Sequence, residues 1–217
     1  WKNEEVRAYL GIIVAATLVI TCNVLSIYKE PLKAFRYSIF QVASIITTTG
    51  FATADFNLWP ELSKCILLLI MVIGACAGST GGGVKVSRFL ILWKSILKQV
   101  KGMLHPKSVN VVKVNGKKIS NETLQGVYAY FSAYVFVFGI SVLLVALDNF
   151  DFATTISGVL TTLSNVGPGI SRVGPIENFQ SFSVLSKIVF SMDMLIGRLE
   201  IFPFLMICSP SFWRKHF

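Results

Sequence analysis

Charged residues are scarce in this sequence. Asp, Glu, Lys and Arg make up 14% of its 217 residues, against roughly 25% in a soluble domain, too few to hydrate a globular surface. Acids are the scarcer sign, 11 Asp and Glu against 20 Lys and Arg. The two histidines, His105 and His216, sit on polar flanks without a paired nucleophile or metal-ligand set, so no enzymatic activity is expected. The four cysteines, Cys22, Cys65, Cys76 and Cys208, lie in apolar runs without metal-ligand spacing. They read as small buried hydrophobes, and nothing in them implies an oxidising compartment. There is no initiator Met, and Trp1-Lys2-Asn3-Glu4-Glu5 lacks the basic start of a signal peptide. The chain is therefore expected to be a piece of a longer polypeptide.

What is abundant is apolar: 53% of residues are AVILMFWYC, 17 of them Phe, and mean hydropathy is +0.66. Four runs approach the ~20 apolar residues that cross a bilayer: Ala8 to Tyr28, Cys65 to Val84, Thr123 to Leu147, and Ile188 to Ile207. The second turns glycine-rich, and the fourth contains Asp193, Arg198 and Glu200. Ser38 to Ala54 and Phe152 to Ser171 are uncharged but polar, ending in Thr, Ser, Asn and Gly. They read as re-entrant segments, since irregular backbone at membrane depth must face protein or water.

Charge is unevenly placed. Lys85, Arg88, Lys94, Lys98, Lys101, Lys107, Lys113, Lys117 and Lys118 precede the single acid Glu122, so this connection carries nearly all of the net +9. The positive-inside rule makes it cytoplasmic. The N-terminus and the Arg214-Lys215-His216 tail then lie inside too, and the re-entrant segments enter from outside. Topology accounts for the sign, so no nucleic-acid partner is expected. Within the connection, Asn115-Gly116 between two short alternating runs predicts a β-hairpin with a type I′ turn, either simply solvated or a docking point for a partner subunit.

The two halves align. Leu62-Ser63-Lys64 recurs as Leu185-Ser186-Lys187 and Met71-Val72-Ile73-Gly74 as Met194-Leu195-Ile196-Gly197, 123 residues on; around Gly50 and Gly167 the shift is 117. Both copies cross in the same direction, unlike the inverted repeats common in secondary transporters. A re-entrant helix entering from outside points its C-terminus, about half a negative charge, at mid-membrane. The strand after it can present backbone carbonyls to a cation, aimed by a glycine. Candidate ligands are Thr48, Thr49, Gly50 and Phe51, with Asn165, Val166, Gly167 and Pro168.

The segments IITTTGF (45–51), GACAGSTGGGVK (74–85), SNVGPG (164–169) and GRLE (197–200), with the Pro210-Ser211-Phe212-Trp213 ending, resemble the bacterial TrkH potassium-uptake proteins of the Trk/Ktr/HKT superfamily. The resemblance implies an all-α integral membrane fold of tandem span–pore-helix–span repeats, potassium-channel-like, four per chain around one pore. Only two such repeats are expected here: 1–101, then the basic connection 102–122 with its hairpin, then 123–217. It also implies K⁺ as the transported ion, a bacterial inner-membrane location among lipid, a homodimer, and a cytosolic TrkA-type nucleotide-binding subunit.

Gly78, Ser79, Thr80, Gly81, Gly82 and Gly83 do not fit a phosphate-binding P-loop, because Val84 stands where that motif needs lysine. Glycines at about 1 kcal/mol each against helix read instead as a broken span; a plain helix end at the membrane surface is the alternative. The resemblance makes this segment an intramembrane loop that obstructs the pore, with Arg198 beside it as part of the gate. Arg198 stands five residues from Asp193 and two from Glu200, off their helical faces. It needs partners elsewhere, among carbonyls of the glycine segment or at a pore-facing site, unless it snorkels. Asp193 and Glu200, seven apart, are expected on one face. The alternative function is an ion-coupled (H⁺ or Na⁺) secondary cation transporter with those two acids as carriers.

Overall fold

The computed structural model describes residues 3–105 and 111–208. Lys107, the Pro210–Trp213 ending, the basic tail and the side chain of Cys208 lie outside the described residues. The elements are α1 (Glu4–Tyr28), α2 (Pro31–Ile46), α3 (Glu61–Ile73), α4 (Val86–Leu104), a hairpin of β1 (Lys113–Val114) and β2 (Lys117–Lys118), α5 (Asn121–Val145), α6 (Phe152–Leu163), α7 (Val184–Leu199) and α8 (Ile201–Cys208).

Caps set the helix bounds beyond the apolar runs. The Asn3 side chain accepts from the Glu5 N–H, and Glu4 and Glu5 occupy the first turn of α1, where the helix dipole favours acids. Ser120 caps α5 in the same way. Both helices are 25 residues long, each end of α5 lying 117 residues beyond that of α1. The last residues of α2 and α6, Ile46 and Leu163, keep this offset; the first residues of α3 and α7, Glu61 and Val184, are 123 apart. The six extra residues fall in the outer connection of the second half.

Among the described residues, two helices are long and apolar enough to cross a membrane, α1 and α5 with its 3₁₀ extension. The other two expected spans are broken. α3 stops at Gly74 (φ +69), and α4 starts only at Val86. The run from Ile188 divides at Glu200 (φ +62), between α7 and α8, which removes Glu200 from the helical face expected to carry Asp193 as well. Asn115 and Gly116 both have positive φ, 52° and 76°, as a type I′ turn requires. Val114 pairs with Lys117, and the Ile119 N–H reaches the Val112 carbonyl at 3.0 Å.

The core joins the two halves. Ile20, Val24, Val42, Ile45, Leu67 and Met71 from α1–α3 pack with Leu160, Val166 and Ile170 of the second half. Phe182, Phe190, Val145 and Val159 form a second cluster. α6 is buried along nearly its whole length. Large apolar side chains such as Val14 and Leu18 on α1, and Phe136 and Leu143 on α5, are exposed, which suits lipid better than water. Cys22 and Cys65 are exposed as well, and Cys76 is half-buried. Burial of the cysteines therefore fails as an expectation: run membership fixes hydropathy, not which face of a helix turns inward.

Gln41 on α2 is fully buried, and neither its amide nitrogen nor its oxygen has a hydrogen-bond partner; Ser38 Oγ, a turn earlier, is in the same condition. An unpaired buried amide costs about 1–3 kcal/mol. Gln41→Met, of similar shape, is expected to raise the thermal midpoint in detergent; a lowered midpoint would contradict this reading.

Candidate functional site

α2 and α6 end in the same way. The caps Thr47 (φ −83°, ψ −2°) and Ser164 (φ −87°, ψ −3°) are followed by Thr48 (φ 55°) and Asn165 (φ 54°) in the left-handed region. The Thr48 N–H bonds the Ile45 carbonyl at 3.0 Å, and the Asn165 N–H bonds that of Thr162 at 3.1 Å. The Thr49 N–H bonds Ser44 O at 2.8 Å, and the Val166 N–H bonds Thr161 O at 2.9 Å. Next come Gly50 (φ 79°) and Gly167 (φ 109°). Each helix thus hands over to an irregular segment, here termed a strand, through one matching set of bonds.

Three glycines close around the end of α6. A Cβ on Gly50 would stand 2.1 Å from the Val166 carbonyl oxygen, one on Gly82 2.2 Å from that of Ser164, and one on Gly197 1.9 Å from that of Leu163. No side chain fits at any of these. The structure therefore brings the two candidate strands together at Gly50 and Val166, and seats the glycine segment directly beneath the end of α6. Thr48 joins them: its Oγ1 accepts from the Gly82 N–H at 3.4 Å.

Cation ligands can be sorted by their bonds. Phe51 O accepts from Ser44 Oγ at 2.6 Å and Pro168 O from Thr161 Oγ1 at 3.1 Å. Among the described residues, no donor occupies the carbonyl oxygens of Thr48, Thr49, Gly50, Asn165, Val166 or Gly167. Nor, among those residues, do three His, Cys, Asp or Glu side chains gather there as a metal-ion cluster; the oxygens of this region include backbone carbonyls and the hydroxyls of Thr47, Thr48 and Thr49. At the far end of α6, Asp151 accepts from the Thr154 N–H at 3.0 Å and its hydroxyl at 2.5 Å. Burial pulls the Asp151 carboxyl up, but hydrogen bonds from Thr154 and Ser171 outweigh it and hold the group below the usual carboxylate range. With a depressed folded-state pKa, the contribution of this cap is present above the unfolded pKa and lost as pH falls through the folded one.

The segment of Gly78, Ser79, Thr80, Gly81, Gly82 and Gly83 is tied on several sides. Arg198 Nη1 donates to the Thr80 carbonyl, and Glu5 Oε1 accepts from the Ala77 N–H at 2.6 Å. Arg198 is exposed on this chain rather than buried. Glu200 bonds Lys85 at 2.5 Å and Arg88 at 2.7 Å, so it is a structural counter-ion at the start of α4, not a free acid. Asp193 is buried, with one oxygen held by Ser141 at 2.7 Å. Ser44, Thr161, Glu5 and the Lys85–Glu200–Arg88 triad escaped the sequence reading. Only the first pair carried a signal, hydroxyl residues at the repeat offset of 117.

The TrkH cation transport protein family profile matches residues 11–215. This chain belongs to the TrkH family. It is 37% identical to the Trk system potassium uptake protein TrkH of Salmonella typhimurium, the match covering 99% of this chain and 44% of that protein. Identity to the Escherichia coli K12 protein of the same name is 36% over the same shares. The crystal structure of the potassium transporter TrkH from Vibrio parahaemolyticus superposes with a TM-score of 0.89 at 39% identity, covering 99% of this chain and 46% of that one. The chain thus spans less than half the length of these relatives.

The glycine contacts differ in severity, which is testable. A Cβ on Gly102 of α4 meets nothing within 4 Å and its backbone is not left-handed, whereas one on Gly82 meets backbone. Gly82→Ala is expected to lower stability by roughly 1–3 kcal/mol more than Gly102→Ala, measured as thermal midpoints. Equal midpoints would refute the close approach.

Proposed function

We propose that this chain supplies part of the pore of a K⁺ uptake protein of the bacterial inner membrane. The observation that carries the reading is the matched pair of segments after α2 and α6, whose carbonyls at Thr48–Gly50 and Asn165–Gly167 accept no hydrogen bond among the described residues. α1, α2 and α3 form one span–pore-helix–span repeat, and α5, α6 and α7 the next. K⁺ sheds water onto the open carbonyls, helped by the negative C-terminal ends of α2 and α6. Since the chain is less than half its relatives' length, further repeats of the same kind complete the ring.

Below the strands, Gly78 to Gly83 obstruct the path, and Arg198 latches them through the Thr80 carbonyl. In this reading the charge of Arg198, exposed on this chain, adds an electrostatic barrier to a steric one. A homodimer and a TrkA-type nucleotide-binding subunit on the cytoplasmic face complete the assembly. The engagement of Glu200 by Lys85 and Arg88 removes one of the two acids that a proton- or Na⁺-coupled carrier would use.

Two measurements on the complete gene product in proteoliposomes test this. Arg198→Ala is expected to raise K⁺ flux severalfold; unchanged flux in a well-folded variant would sink the latch. Gly50→Ser, which drives a Cβ into the Val166 carbonyl, is expected to weaken selection of K⁺ over Na⁺, read from reversal potentials. Retained selectivity would remove Gly50 from the filter.

A further inference from the structure

Two carbonyls of the candidate strands are already engaged, and in matching ways. Ser44 and Phe51 are seven residues apart, as are Thr161 and Pro168, and the two pairs are separated by the same 117 residues as the helices that bear them. Each hydroxyl residue grips its strand twice. The main-chain oxygen of Ser44 takes the Thr49 N–H and its side chain holds the Phe51 carbonyl; Thr161 does the same with Val166 and Pro168. The glycine, Gly50 or Gly167, lies between the two grips. Ser44 and Thr161 are both buried, so water does not compete for these hydroxyls.

A carbonyl that accepts a well-formed hydrogen bond turns its lone pair toward the donor. The Phe51 and Pro168 oxygens therefore face back toward α2 and α6, whereas the preceding carbonyls accept no such bond among the described residues. We propose that Ser44 and Thr161 are positioning residues that end the coordinating column: by drawing the Phe51 and Pro168 carbonyls off it, they confine the cation to the oxygens of Thr48–Gly50 and Asn165–Gly167. This rests on the filter reading above, and it takes Phe51 and Pro168 out of the ligand set expected from sequence. The second strand has an additional tie, since Ser157 Oγ both donates to the Ile170 carbonyl and accepts from its N–H, each at 3.0 Å. The residue 117 positions before Ser157 is Phe40, which has no hydroxyl, so the first strand depends more heavily on Ser44.

The test uses the complete gene product in proteoliposomes, with K⁺/Na⁺ permeability ratios taken from reversal potentials. Ser44→Ala and Thr161→Val remove the hydroxyl; Ser44→Thr and Thr161→Ser keep it. Loss of the hydroxyl is expected to lower the ratio about fivefold, the equivalent of one neutral hydrogen bond, more for Ser44 than for Thr161. The hydroxyl-retaining variants are expected to keep the parent ratio, which a purely volume-dependent packing role would not produce. If Gly50→Ser lowers the ratio while Ser44→Ala and Thr161→Val leave it at the parent value, the brace is wrong and the filter stands. If Gly50→Ser is also silent, both fall. Should Ser44→Ala fail to fold, Thr161→Val decides alone, its strand still held by Ser157.

Discussion

Everything in this structure is arranged around carbonyl oxygens at the end of α6. An α-helix leaves its last carbonyls without intrahelical partners, and most proteins satisfy them with water or a capping donor. Here Leu163 and Ser164, at that end, meet Gly197 of α7 and Gly82 of the broken segment, and Val166 just beyond meets Gly50 of the other strand. Backbone packs on backbone at all three contacts, so a concentration of negative dipole stays inside the protein with no side chain to neutralise it. Positive charge is what such a place favours.

The constraint explains the breaks in the other helices. α3 must stop at Gly74 so that the following residues can pass under α6 and return to start α4 at Val86, a detour held by the Val84 and Lys85 N–H groups bonding back to Val72 and Ile73 at 3.0 and 2.9 Å. α7 runs past the equivalent glycine, Gly197, because it only has to lie against the end of α6. Its extra turn delivers Arg198 to the Thr80 carbonyl before the chain turns at Glu200. Glu200 in turn holds the first turn of α4 through Lys85 and Arg88. The detour is thus fastened by Glu5 of α1, by Thr48 just beyond α2 and by Arg198 of α7 through single side-chain contacts, besides its backbone bonds to α3.

Much of this was legible in the chain. The uncharged runs located α1 and α5, Asn115-Gly116 located the hairpin turn, and the recurrence of Met-x-Ile-Gly aligned the halves. The sequence was silent on events that are set through space. Hydropathy cannot tell a continuous span from two helices meeting at Glu200, because the apolar content is the same. It cannot tell an inward from an outward face, which is why Cys22 and Cys65 were misplaced. The carbonyl-rich strands were visible through Gly50 and Gly167, but not that Phe51 and Pro168 turn their oxygens back to a hydroxyl, since a backbone acceptor leaves no mark in its own residue type.

The two halves keep one spacing, 117 residues, at both ends of α1 and α5, at the last residues of α2 and α6 and at Gly50 and Gly167, although α6 starts four residues late; the spacing is 123 by the start of α3 and α7. The inner part acts as a ruler. From Ser44 to Phe51 and from Thr161 to Pro168 the count of residues is fixed by two grips on one strand, and one added residue would carry a carbonyl past its hydroxyl. Outside the strand no such gauge exists. The halves differ in connection length before α6 and again between the strand glycines and α7, so those connections are where this architecture can accept added residues without disturbing the two grips.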